Sequence, residues 1–313
     1  MLSAINNKEE TILSFNLNEE EIEILKKEDL ICGCCNEPVH IKKGKNFLKS
    51  GKVMITHFAH LKNSDCPYPK ESQQHLASKI SIYNSLKNYG IKEVWLERTI
   101  SLQKKKELLE QYKKCISENY SNLSINDTFF GKLLKRNIFR PDVCFIYNEE
   151  YIAVEVQKSY LPKEDFLLRT LFYRIMKIKV LWIIPEDVFI EKANRIMDAV
   201  FHMNLSDFHK ELKKYYFGYI YCWDYNKSQL SVYNINNLTT QRSTGSWEEG
   251  EHGGEYWNET GGYDYTYKKL KKLENIHTQN NIIDNFYSND IKKNIKYGQL
   301  IDAKVWTLRI NKK

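Results

Sequence analysis

The stretch NIFRPDVCFIYNEEYIAVEVQ, residues 137–157, decides how this chain is to be read. Its two apolar arms, VCFIY and YIAVEV, are rich in β-branched and aromatic residues and are separated by only Asn148 and two glutamates, a length that closes an antiparallel hairpin. Asp142 opens the first strand and Glu155 lies near the end of the second. The hairpin can therefore set the two carboxylates side by side, with Gln157 two positions further on the same face of the sheet. Opposed carboxylates repel, and Glu155 sits in an apolar run where an unpaired charge is costly, so the pair calls for a cation. An oxygen site with open positions suits Mg²⁺ or Mn²⁺, which can activate a water and hold a phosphate. The plainer alternative is a pair of edge carboxylates matched by Arg136 and Arg140.

Upstream, Pro67 and Pro69 mark a break, and from Glu71 apolar residues recur at Leu76, Ile80, Tyr83 and Leu86 as far as Gly90, which predicts a helix. Glu71, His75 and Lys79 stand at i, i+4 and i+8 on it and share one face; taken alone they read as a solvated stripe. VWLE, residues 94–97, alternates as a strand does, and the polar, Lys-rich excursion 102–134 reads as an inserted helical hairpin. Downstream come a helix over about residues 163–177 and a buried strand, KVLWII, closed by Pro185. The order helix, strand, strand, strand, helix, strand predicts an α/β fold with a mixed sheet.

The segment 32–66 is rich in Cys, His, Gly and Lys and short of long apolar runs, so a metal would replace the missing core. Cys32 and Cys35 form a C-x-x-C knuckle, and His57, His60 and Cys66 follow; five candidates compete for the four positions of tetrahedral zinc. The expected ligands are Cys32, Cys35, His60 and Cys66, with His57 as an alternative. Cys34, inside the knuckle, should point away. The cysteine count is odd and the opening MLSAINNKEE has no apolar export signal, which predicts reduced thiols and a cytoplasmic protein. The longest apolar run, 180–184, is far too short to span a membrane.

Residues 186–216 read as helical, and GYIYCWDYNKSQLSVYNI as a second hairpin around Asn226. Residues 240–265 hold six of the thirteen glycines and no apolar period, which predicts a flexible linker. Residues 266–313 carry eleven Lys or Arg against four Asp or Glu, an excess equal to the whole chain's net charge of +7. This tail is either a polyanion contact or a solvated or protein-binding extension. The units expected are thus 1–68, 69–190, 191–239, 240–265 and 266–313.

Taken together, C-x-x-C at Cys32 and Cys35, HFAH at 57–60, Cys66, ESQQH at 71–75 with Lys79, RPDV at 140–143, VEVQKS at 154–159, LRTLFY at 168–173 and VLWII at 180–184 resemble the competence protein CoiA-like family. Its members join a zinc-ribbon-like N-terminus to a nuclease domain of the PD-(D/E)XK type, and the likeness covers roughly residues 30–185. The resemblance implies an α-β-β-β-α-β nuclease core and a Mg²⁺- or Mn²⁺-dependent nuclease acting on DNA. It assigns Asp142 and Glu155 to the metal and Glu71 to the helical carboxylate that completes the site. Gln157 stands at the motif's lysine position, as is usual in this branch; Lys79 would supply the missing charge better than Lys158, which points to the opposite sheet face. His75 would contact the phosphate or orient a carboxylate. Family members process incoming DNA in naturally transformable bacteria, which implies recombination or DNA-uptake proteins as partners. The neutral Gln157 and the basic tail keep a second reading open, a non-catalytic DNA-binding or adaptor protein on a degenerate nuclease fold.

Overall fold

The structure, a computed structural model, describes residues 1–44, 54–61, 64, 66, 71–103, 106–119, 131, 138–147, 149–158, 161–191, 193–197, 200–203, 207–216, 219–250 and 253–272. An N-terminal five-stranded antiparallel sheet is built from β1 (Ser3–Ile5), β2 (Thr11–Leu13), β3 (Leu30–Ile31), β4 (Pro38–Lys42) and β5 (His57–His60), in the order β2-β1-β3-β4-β5. Between β2 and β3 runs α1 (Glu19–Leu25), started by a capping box in which Asn18 and Glu21 each accept the other's backbone N–H. Leu2, Ala4, Ile22, Leu30 and Phe58 are buried here. The cysteine-rich segment therefore has an apolar partner after all, supplied by residues that precede it.

The central layer follows the order expected from the sequence. Helix α2 (Gln73–Asn88) begins at Ser72, whose hydroxyl accepts the His75 amide at 3.3 Å. Glu71 thus lies just before the helix, not within it. The strands β6 (Val94–Leu96), β9 (Val143–Tyr147), β10 (Glu150–Val156) and β11 (Lys179–Pro185) pair antiparallel, antiparallel and parallel, the last crossing made through α4 (Lys163–Ile175). A short pair, β7 (Ile100–Ser101) with β8 (Ile138–Phe139), stands apart. The β9–β10 turn places Glu149 at φ 64°, the left-handed backbone a tight hairpin demands. Helix α4 covers one sheet face, setting Phe166 edge-on to Trp182 at 5.2 Å. Leu181, beside it in β11, is fully buried. Leu181→Ala should cost about 2–5 kcal/mol in urea unfolding, the range for large-to-small changes in a packed core.

Of the 102–134 excursion one helix, α3 (Lys106–Asn119), is described, and it packs on α4 with Tyr112 donating to the Leu168 carbonyl. The rest of that excursion, apart from Gly131, lies outside the described residues. Two expectations for the C-terminal part change. Residues 186–216, expected as helical, contain α5 (Glu186–Glu191), strands β12 (Ala193–Met197) and β13 (Val200–Met203), and α6 (Asp207–Tyr215). Pairing of β12 with β13, and of β13 with a later strand, β16 (Glu255–Lys272), overrides local helix preference. The hairpin around Asn226 is present as β14 (Tyr219–Asp224) and β15 (Gln229–Glu249), but β15 runs on and pairs with β16 (Glu255–Lys272). The stretch expected as a linker is thus the outer half of a long hairpin. Its glycines serve geometry: Gly253 and Gly254 turn the chain at φ 76° and 100°, and a Cβ on Gly245 would meet the Asn258 backbone at 2.0 Å. The whole forms a nine-stranded sheet, β12-β13-β16-β15-β14-β11-β10-β9-β6. The basic tail beyond Lys272 lies outside the described residues. Among the described residues no helix is long and apolar enough to cross a membrane.

Candidate metal centres

The ligand atoms of Cys32, Cys35, His60 and Cys66 lie within 4.8 Å of one another. The knuckle between β3 and β4 supplies the first two, and the end of β5 brings His60 back, with Nε2 at 3.2 Å from Cys35 Sγ. The Cys34 amide donates to Cys32 Sγ at 3.4 Å, the support a thiolate ligand needs. Hydrogen bonds from the Cys34 and Cys66 thiols hold the Cys32 thiol far below its ordinary value. Burial pushes the Cys35 thiol up to about 12. Several thiolates cannot coexist there unless a cation offsets them, so the three sulfurs and one imidazole fit zinc. Cys34 is buried in the core and stands outside the cluster, as its position in the knuckle implies. His57 also stands outside it, its Nδ1 bonded to the Ile55 carbonyl at 2.8 Å.

A second cluster joins Glu71, His75 and Asp142, again with ligand atoms within 4.8 Å of one another. His75 lies between the two carboxylates, Nε2 at 3.1 Å from Asp142 Oδ2 and Nδ1 at 3.5 Å from Glu71 Oε1. Asp142 Oδ2 also accepts the Val156 amide at 2.9 Å across the hairpin. Lys79, fully buried, bonds Glu71 and Glu97 and stands 3.7 Å from Asp142 Oδ1. Burial alone would raise the Asp142 carboxyl, but His75, Lys79 and Arg169 outweigh it and hold it well below the usual carboxylate range. Burial would likewise lower Lys79, and Glu71, Glu97 and Asp142 reverse this, so it is a cation.

Glu155 does not join that cluster. The register places it across the hairpin from Asp142, since Val154 pairs with Val143, but its carboxylate is held by Arg169 at 2.8 Å and by the Tyr173 hydroxyl, both from α4. The cation that the opposed carboxylates call for is therefore divided in this protein. Arg169 answers Glu155, and Lys79 with His75 answers Asp142. Burial pushes the Glu155 carboxyl up to about 8 against the pull of Arg169. Arg140 is matched to Glu97 rather than to this pair. Gln157 is half-buried beyond the end of β10, its backbone N–H donating to the Ile183 carbonyl at 2.8 Å. Lys158 bonds Gln74 of α2 at 2.7 Å.

The residue that sequence reasoning missed is Glu97. It follows β6 at φ 51° and is 5% exposed. Its carboxylate accepts the backbone amides of Leu2 and Ser3 at 3.0 and 3.2 Å, the Ser3 hydroxyl at 3.1 Å, and both Lys79 and Arg140. Burial alone would raise it, and Lys79 and Arg140 carry it well below the usual carboxylate range. One signal existed. Lys79 lies three residues from both Leu76 and Ile82 on the apolar face of α2, where a cation requires a buried carboxylate opposite it.

Residues 131–251 match the family model described as competence protein CoiA, nuclease-like domain. No curated protein and no solved structure matches the chain significantly. The matched segment contains the hairpin with Asp142, Glu155 and Gln157 and helix α4, whereas Glu71, His75, Lys79, Glu97 and the cysteine cluster precede it. The likeness to the competence protein CoiA family thus rests on the nuclease-like segment 131–251.

Proposed function

We infer that the protein is a divalent-metal-dependent nuclease that hydrolyses phosphodiester bonds of DNA, with zinc confined to a structural role in the N-terminal unit. The observation that carries this reading is the convergence of Glu71, His75 and Asp142 from two separate elements beside the CoiA nuclease-like hairpin. Asp142 and Glu71 would hold Mg²⁺ or Mn²⁺, with Glu155 as the further carboxylate on the adjacent strand. Bound there, such an ion lowers the pKa of a water and offsets charge on a phosphate. The remaining chemistry belongs to the chain. The Val156 amide fixes the Asp142 carboxylate, and His75 orients the two acids. Lys79 supplies the positive charge that a neutral Gln157 cannot. Glu97 also borders a cleft of about 450 Å³ between β1 and β6, where the Arg98 guanidinium lies 4.0 Å over the Trp95 ring, a surface suited to an extended nucleic-acid strand.

The test is cleavage of single-stranded, duplex and branched DNA with Mg²⁺ or Mn²⁺. Wild type should cut, and Asp142→Ala should lose at least about 100-fold in rate, the scale set by one electrostatic contact to the reacting group. Failure of wild type on every substrate with either metal would reject the enzymatic reading. One observation favours the alternative of a DNA-binding adaptor on a degenerate nuclease fold: Glu155 is already neutralised by Arg169. In that case binding would be strongly salt-dependent and indifferent to Asp142→Ala.

A further inference from the structure

We propose that Glu97 is a positioning residue that acts through Lys79, holding the lysine's charge beside the Glu71 and Asp142 carboxylates while leaving those carboxylates open to a divalent ion. The proposal rests on the metal site inferred above and adds a residue that lies outside both the matched segment and the expected motif. Lys79 bonds Glu71 and stands 3.7 Å from Asp142, so its ammonium sits on the two acids a metal would need. A buried lysine cannot leave for water, because its side chain is fully enclosed. It yields the metal carboxylates only if a third acid keeps it satisfied, and Glu97 is that acid.

Glu97 is suited to hold rather than to bind. Its oxygens are engaged by two backbone amides, the Ser3 hydroxyl, Arg140 and Lys79, and Arg140 is pinned further by its Nε donating to the Glu97 carbonyl at 3.0 Å. Such a saturated carboxylate does not swing toward an incoming ion. The N-terminal strand thereby becomes part of the site's support, since the amides of Leu2 and Ser3 fix the anion that fixes the lysine. Neutralising Glu97 would leave Lys79 to Glu71 and Asp142 alone, subtracting a charge from the metal site without touching a ligand.

The experiment is a double-mutant cycle on Mn²⁺ affinity, measured by isothermal titration calorimetry on the zinc-loaded full chain, with circular dichroism confirming the fold of each variant. Glu97→Gln should weaken Mn²⁺ binding by about 10- to 100-fold, the usual loss when a group supporting metal ligands is removed. In a Lys79→Met background, where the competing ammonium is gone, the same Glu97→Gln change should have no further effect. Should Glu97→Gln lose the folded state, Glu97→Asp, which keeps the charge and shortens the reach, carries the cycle with the same non-additivity and a smaller first step. An equal loss in both backgrounds overturns the proposal and leaves the metal reading intact. A folded wild type that binds no Mn²⁺ overturns both.

Discussion

Protein purified without chelators should carry one zinc per chain, and Cys35→Ser should carry none and lose the fold of its N-terminal unit. Structural zinc supplies apparent free energies of about 10–16 kcal/mol in small peptides, far more than the few buried side chains of this unit can replace. Its sulfurs converge from a knuckle and a separate segment, so without a cation no bond draws those segments together. The loss should spread. Leu2 and Ser3, at the start of β1, hydrogen-bond Glu97, so unfolding the unit also releases the anchor of Lys79. Metal analysis together with thermal unfolding, with and without a thiol-displacing chelator, reads both effects. A zinc-free wild type with unchanged unfolding would contradict the assignment.

The second large effect is expected at Arg140. Its guanidinium, 3% exposed, bonds both the Glu97 carboxylate and the Glu97 carbonyl, and Arg140→Met would leave Lys79 as the one side-chain cation, among the described residues, on that buried acid. Breaking one side of a buried pair costs about 3–5 kcal/mol because the remaining charge stays desolvated. Urea unfolding should register a loss of this size. Lys43→Ala, at an exposed pair with Glu19, should leave the midpoint where it is. Equal behaviour of the two variants would mean that the buried network adds no more than a surface contact.

The central layer was legible because its elements carry local signals. The β-branched and aromatic runs VCFIY and YIAVEV, the short connection between them, the helical period from Leu76 to Leu86 and Gly90 each announce themselves in sequence. The convergence of Cys32, Cys35, His60 and Cys66 was legible for a similar reason, since ligand chemistry and spacing single these side chains out. What escaped was set by distant partners. Strands β12 and β13 exist because β16, some seventy residues later, offers an edge. The glycines of the outer hairpin look like a linker until the Asn258 backbone is seen against Gly245. The pairing of Glu155 with Arg169 and Tyr173 depends on how α4 lies on the sheet, which no periodicity specifies. Glu97 collects donors from three separate places in the chain and carries no spacing of its own.

The most direct test of a divalent ion held by Asp142 and Glu71 is anomalous scattering from crystals of the protein grown with Mn²⁺. The account predicts a peak between these two carboxylates, with coordinating oxygens at about 2.0–2.3 Å and the Glu155 carboxylate drawn away from Arg169 toward it. A peak only at the cysteine cluster, with Lys79 still bonded to Glu71 and Glu155 still bonded to Arg169, would contradict it.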